Sequence, residues 1–280
     1  MLITNPEELV NIIKDNRNKV ISRFATTGKL HKGHIEALEM IKSKSDVVIV
    51  AFNDWYPQAC LRLGCSSVPS WKKHRDLDIS ILASKHLADY VVSRDLTEDI
   101  FSKIVEFRKM ILDHTNLAKD LGIIQKDYIP NDLLARMSCG LYVTEEEPYC
   151  TYNWYGNKDM LVWLLPYLIG QKYGIPLRYD FYPIIRDENG VPYESSTTQD
   201  IYDEKLRLRD SYLNIKNNLL SDGELKVGTD LKGIVSLINL KEFKKEIKLK
   251  SGSQYVLLTS VKRANSDLNI SYSDCEFIDG

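Results

Sequence analysis

A chain of 280 residues is long enough to bury a sizeable core, as one large domain or two smaller ones. It is 44% hydrophobic and 27% charged with a net charge of −2, so no overall charge draws it to nucleic acid or to a membrane, and an anionic ligand must be held by a local site. The five cysteines, Cys60, Cys65, Cys139, Cys150 and Cys275, are scattered, odd in number and without a CxxC pair, which speaks against zinc and a disulfide framework and for reduced thiols in a cytoplasmic protein.

In chain order, Met1-Leu2-Ile3-Thr4-Asn5-Pro6 shows no basic region ahead of an apolar core, so no secretory signal is expected. Asn5 as N-cap, Pro6 at the first position and two glutamates after it open a first helix, with Leu9, Val10, Ile12 and Ile13 inside. Val20 to Phe24 reads as a strand and Gly33 to Lys44 as a helix. Asp46 to Phe52 is a continuous apolar run, the pattern of a parallel strand buried on both faces. Trp71 to Ala88 reads as a helix with Leu77, Ile81, Leu82 and Leu87 inside, followed by a strand at Asp89 to Ser93 and a helix from Leu96 to Leu112. Residues 114–150 show no pattern on which boundaries can be drawn. Asp159 to Lys172 reads as a helix closed by Gly174 and Pro176, and Leu177 to Ile185 as a strand. The apolar stretch from Leu161 to Ile169 is too short to span a bilayer.

This alternation predicts an α/β fold, a doubly wound Rossmann-like parallel sheet over residues 1–189. Residues 190–280 change character, with a charged helix from Asp203 to Leu220, a lysine-rich segment and a strand at Gln254 to Val261. They are expected to form a smaller α+β C-terminal domain.

The most informative stretch is Thr26-Thr27-Gly28-Lys29-Leu30-His31-Lys32-Gly33-His34. A strand precedes it and a helix follows, so two histidines three residues apart stand at a turn on the carboxyl edge of the sheet, where ligands bind in such folds. A helix N-terminus offers unpaired N–H groups and partial positive charge, and two imidazoles add donors, so the turn suits a phosphate. Metal binding is a rival reading, but no third ligand is evident and the glutamate of an HExxH motif is missing.

The stretch resembles the HxGH signature of the adenylyl-transferring superfamily, and it is most similar to that of pantoate–β-alanine ligases (pantothenate synthetases), approximately PTMGALHEGH. Further segments resemble the same family in order: Ser45 to Val50 followed by Asn53; Arg75-x-x-Asp78 followed by Asp89 to Val92; Tyr155-Gly156-Asn157-Lys158-Asp159; and Pro183 to Gly190 followed by Ser195-Ser196. They span roughly residues 20–205.

The resemblance implies an ATP-dependent ligase that adenylates a small carboxylic acid and condenses it with an amine such as β-alanine, releasing pyrophosphate and AMP. It implies contacts from His31 and His34 to the phosphates and from Lys158 to the charge on the reacting phosphate. Thr26, Thr27, Gly28, Gly33, Gly156, Asp159, Ile185, Arg186, Ser195 and Ser196 would bind the nucleotide, and Mg²⁺ would travel with ATP. Asn53, Tyr56 and Val162 fall at the acid-binding places. The same likeness implies small-molecule acid and amine partners and a homodimer, while the near-neutral charge argues against nucleic acid and membrane and the cysteines argue for the cytoplasm.

The departures bear on the acid. Ala25 and Thr27 stand where the family has proline and methionine, and Thr197 where the serine loop has arginine. The two glutamines that hold pantoate are replaced by Tyr56 and Val162. A pocket without both amides holds pantoate differently, because unpaired polar groups are costly to bury. Two alternatives therefore stand beside the ligase: a nucleotidyltransferase moving AMP or CMP onto a phosphate or other acceptor, and a nucleotide-binding protein that has lost catalysis.

Overall fold

The structure, a computed structural model, describes residues 2–3, 6–65, 70–116, 128–129, 131–146, 152–156, 172–174 and 179–195, scattered positions between 166 and 213, and 231–239, 255–263 and 271–278. The chain divides into two compact units, Met1–Tyr182 and Pro183–Gly280.

The first unit contains β1 (Leu2–Ile3), α1 (Pro6–Asp15), β2 (Ile21–Thr26), α2 (Lys32–Lys42), β3 (Val47–Phe52), α3 (Trp55–Arg62), α4 (Arg75–Ser84), β4 (Tyr90–Ser93), α5 (Glu98–Leu112), α6 (Asn131–Glu146), β5 (Tyr152–Gly156) and β6 (Tyr179–Tyr182). The six strands form one sheet in the order β1-β4-β3-β2-β5-β6, and every neighbouring pair is parallel. The chain winds outward from β2 through β3 to β4, then returns to the other side of β2 with β5. β2 is therefore the point at which strand order reverses, and ligands in open α/β sheets bind outside the carboxyl ends of the strands at such a point.

The sequence explains the burial. All six residues of β3 are buried. Val48, Val50 and Phe52 join Phe24 and Trp154 on one face against Ala37, Leu38 and Ile41 of α2 and Leu82 of α4. Val47 and Ile49 join Ile21 on the other face against Ile13 of α1. Each buried valine, leucine, isoleucine or phenylalanine among them contributes roughly 1.5–3 kcal/mol. Trp154 Nε1 donates to Ser22 Oγ at 3.0 Å, and Ser45 Oγ donates to the same oxygen at 2.6 Å, so these three polar side chains are joined through one oxygen.

Several elements differ from expectation. The helix expected from Trp71 to Ala88 opens as a 3-10 turn at Lys72–His74 and ends at Ser84. Leu77 is 61% exposed, while Asp78, one residue on, is buried at 1%. The inward stripe of α4 thus runs through Asp78 and Leu82, and Asp78 takes the inner place because it bonds backbone donors of the turn after β2. The helix expected from Leu96 begins at Glu98, where Thr97 Oγ1 accepts from the Ile100 N–H at 3.3 Å and caps it. α6 falls in the stretch without a readable pattern; Leu134, Ala135, Met137, Cys139 and Leu141 bury its inner side. Of the strand expected over Leu177 to Ile185, Tyr179–Tyr182 is strand and Pro183 to Ile185 is not, while Leu177 and Arg178 lie outside the described residues. Asn5 and most of the helix expected from Asp159 lie outside the described residues.

The second unit contains an antiparallel meander, β7 (Leu231–Asn239), β8 (Tyr255–Arg263) and β9 (Ser271–Ile278), paired in that order. The fold is thus the α/β class expected, with β structure in the C-terminal unit. Among the described residues no helix is long and apolar enough to cross a membrane.

Candidate functional site

At the end of β2 the Gly28 N–H bonds Thr26 Oγ1 at 3.1 Å and the chain turns sharply. Gly28 (φ +103°) and Lys29 (φ +51°) both occupy the left-handed half of backbone space, which glycine tolerates and lysine resists. A Cβ at Gly28 would lie 2.9 Å from Asp78 Oδ2, 3.2 Å from Arg75 Nη1 and 3.3 Å from the Trp71 Cβ. The segment Trp71–Asp78 therefore wraps the back of the turn closely enough to require glycine. Asp78 bonds it directly: the N–H of Lys29 donates to Oδ2 at 2.8 Å and that of Leu30 to Oδ1 at 2.7 Å. Lys29 Nζ lies over the Trp71 ring, 4.7 Å from its centroid.

The chain then enters α2 through His31, an extended N-cap residue whose side chain makes no cap hydrogen bond, and the first turn of α2 carries no acid. That helix start keeps its partial positive charge. The rings of His31 and His34 stack at 3.8 Å with 23° between their planes, and His34 meets Phe24 of β2 edge-on at 5.7 Å. Gly33, between the histidines, is buried in the first turn. Two imidazoles and a helix start without an acid thus meet at the switch point of the sheet, an arrangement suited to a negatively charged group.

Asn53 follows β3. Its N–H donates to the Thr26 carbonyl at 2.9 Å, and its Oδ1 accepts from Arg23 Nη2 at 3.2 Å, tying it to β2. Arg23 itself is a guanidinium at 2% exposure on the central strand. Next to Asn53, Asp54 is buried; its carboxylate pairs with the Arg75 guanidinium and accepts from Ser93 Oγ at 2.6 Å. Arg75 stacks on Phe52, 3.4 Å from the ring centroid. Burial pulls the Arg75 pKa down, and the carboxylates of Asp54 and Asp78 oppose that shift. Sequence reasoning singled out Arg75 only within the family-like segment Arg75-x-x-Asp78, without a role, and missed Arg23 and Asp54. The available signal was charge at places that strand and helix periodicity assign to the interior.

Tyr56 lies one residue into α3. Burial pushes its hydroxyl pKa well above the usual value, and the hydroxyl bonds Cys60 one turn on, beside Cys139 of α6. Trp55 is buried edge-on against Tyr142 of α6 at 5.1 Å. Burial, then its neighbours Cys60 and Asp132, push the Cys65 thiol up to about 12, and burial raises Cys139 as well. Gly156 ends β5, and a Cβ there would make only ordinary contact with the Tyr182 ring at 3.5 Å.

Ile185, Arg186 and Ser195 belong to the second unit. Arg186 Nη1 donates to the Gly190 carbonyl at 3.0 Å, and the Arg186 backbone bridges Pro192, closing a tight loop whose centre is Asp187. Asp187 Oδ1 accepts from the N–H groups of Asn189 and Val191, and Tyr202 donates to Oδ2. Lys158, Asp159, Val162 and Ser196 lie outside the described residues. Among the described residues no group of three His, Cys, Asp or Glu side chains could hold a metal ion.

No protein-family model and no curated protein matches the sequence. Solved structures do match the fold. Pantoate-beta-alanine ligase from Francisella tularensis, complexed with beta-gamma ATP and beta-alanine, is 16% identical; the match covers 99% of this chain and 97% of that one with a TM-score of 0.56. Two structures of pantothenate synthetase from Thermus thermophilus are 12% identical over 100% of this chain and 99% of those, with TM-scores of 0.57 and 0.58. The chain has a pantothenate synthetase-like fold.

Proposed function

We propose that the chain binds ATP at the turn after β2, adenylates a small carboxylic acid and passes the acyl group to an amine. The observation that carries this reading is the stacked His31–His34 pair at the acid-free start of α2. The reading assigns the pair to the phosphate oxygens of ATP. A carboxylate oxygen of the acid attacks the α-phosphorus, and the bond to pyrophosphate breaks. The amine nitrogen then attacks the acyl carbon, a proton leaves the nitrogen, and AMP departs. The first step builds negative charge on the α-phosphate and the leaving pyrophosphate. Donors already aimed at that charge need no reorganisation as it develops, which is why they lower the barrier. Lys158 adds positive charge in this scheme, and Mg²⁺ enters on the nucleotide's hard oxygens.

Asn53, tied to Thr26 and Arg23, flanks the acid in this reading. The acid is pantoate or a different small carboxylic acid, because Tyr56 and Val162 replace the amides that the family uses. The likeness to a ligase solved with beta-gamma ATP and beta-alanine supports the ATP and amine assignments. The same reading includes a homodimer acting in the cytoplasm.

The test incubates the protein with ATP, Mg²⁺ and a panel of acids, with and without amines, and follows pyrophosphate and AMP. AMP release that needs both acid and amine is expected. Pyrophosphate with a stable adenylylated product would identify a nucleotidyltransferase, and ATP binding without turnover a lapsed enzyme. His34→Ala should abolish pyrophosphate formation with the fold retained; loss of one donor of this kind costs about 2.7–4 kcal/mol of transition-state stabilisation. Undiminished activity in that variant rejects the site.

A further inference from the structure

Asp78 has a geometry that α4 itself does not require. It is a carboxylate at 1% exposure on a helix, and both oxygens leave the helix to bond consecutive N–H groups of the turn after β2. Those two donors flank Lys29, a residue with a Cβ held at φ +51°. The left-handed region costs a residue with a Cβ about 1–2 kcal/mol, so the turn needs something to hold it there. Asp78 Oδ2 also lies where a Cβ on Gly28 would press against it. The two N–H groups reach different oxygens of Asp78; at those two places a carboxylate presents two acceptors and a carboxamide one. A negative charge behind a phosphate-binding turn would weaken it. Arg75, packed against Gly28 and shared between Asp54 and Asp78, offsets part of that charge.

We propose that Asp78 is a positioning residue for the phosphate site: it holds Lys29 in its left-handed conformation and thereby sets where His31 and the start of α2 face the nucleotide. The inference rests on the ATP reading for its ligand, but the turn geometry can be measured without one.

The experiment compares the full-length wild type with Asp78→Asn, Asp78→Asn/Lys29→Gly, Lys29→Gly and Lys29→Val. Two quantities are read: amide hydrogen exchange at Lys29 and Leu30, and the equilibrium affinity for MgATP. Asp78→Asn should speed exchange at both amides and weaken MgATP binding by about five- to thirtyfold, the equivalent of the left-handed cost. Adding Lys29→Gly should recover most of that affinity, because glycine adopts φ +51° without a clamp. A contribution of Asp78 to stability alone would not be rescued at position 29. Lys29→Gly and Lys29→Val both remove the ammonium, yet Val should bind MgATP at least about fivefold more weakly than Gly, because a β-branched residue resists that conformation. This pair decides the matter if Asp78→Asn does not fold. Equal affinities for the pair, or unchanged exchange and affinity in Asp78→Asn, overturn the proposal. If the wild type binds no MgATP, the ATP reading fails, and the exchange rates alone judge the clamp.

Discussion

Gly28→Ala is the sharpest small perturbation available at the turn. The added methyl would meet Asp78 Oδ2 at 2.9 Å, and that oxygen cannot retreat cheaply because it also accepts from the Lys29 N–H at 2.8 Å. Arg75 Nη1 at 3.2 Å is constrained by its pairing with Asp54 and its stacking on Phe52, and the third neighbour is the Trp71 Cβ at 3.3 Å. Backbone strain at φ +103° adds about 1–2 kcal/mol for a residue with a Cβ. Crowding a packed site by one methyl group costs typically about 1–3 kcal/mol more. The expected total is about 2–5 kcal/mol. For a unit of this size 1 kcal/mol moves Tm by roughly 2–4 °C, so the drop should fall between about 4 and 20 °C. Thermal unfolding followed by circular dichroism measures the drop, and MgATP binding below the transition measures the site. A variant with unchanged Tm and unchanged MgATP affinity would refute both the steric argument and the role of the Trp71–Asp78 wrap.

Thr97→Ala should lower the urea midpoint by the equivalent of about 0.5–1 kcal/mol at unchanged slope, since it removes only the 3.3 Å cap bond of α5; no shift, or a changed slope, would contradict the assignment. Burial tends to raise the Asp187 pKa, but bonds from Tyr202 and from the N–H groups of Val191 and Asn189 outweigh it and hold the carboxyl below its ordinary 3.8. A depressed carboxyl stabilises the loop above its unfolded pKa, and that stability fades as pH falls through the folded one. Asp187→Asn should therefore be less stable than the wild type at neutral pH, with the difference shrinking below about pH 4; a difference independent of pH contradicts this.

The strand, turn and helix around Gly28 were legible because several local signals agree there: an apolar run, two glycines, a histidine pair and the start of a 3.6-residue pattern. β3 was legible for a simpler reason, a six-residue apolar run with nowhere to go but a sheet interior. α6 was not, because its inner side mixes Ser138 and Cys139 with leucines and blurs the periodicity. Asp78 stood out in the sequence only within the family-like segment Arg75-x-x-Asp78, with no inward place given to it. Hydrophobic periodicity put Leu77 inside, and only the tertiary need of two backbone donors moves the carboxylate there. Arg23, buried in the middle of β2, likewise looks like an interruption until Asn53 is seen to accept from it. Charged residues on interior stripes were the marks of the candidate site, and apolar pattern matching reads past them.

The central place of β2 also bears on how the protein is made. One edge of β2 pairs with β3 soon after both emerge, since the strands are separated only by α2. The other edge waits for β5, and the bond from Trp154 to Ser22 spans 132 residues. Until that stretch is synthesised, the strand that leads into the phosphate turn exposes unpaired backbone donors and acceptors along a buried-type apolar surface. Such an edge recruits other strands. Long-range parallel pairing is also slow to form. Truncations ending between α6 and β5 should therefore aggregate, and expression trials of shortened chains should keep residues through β6 together.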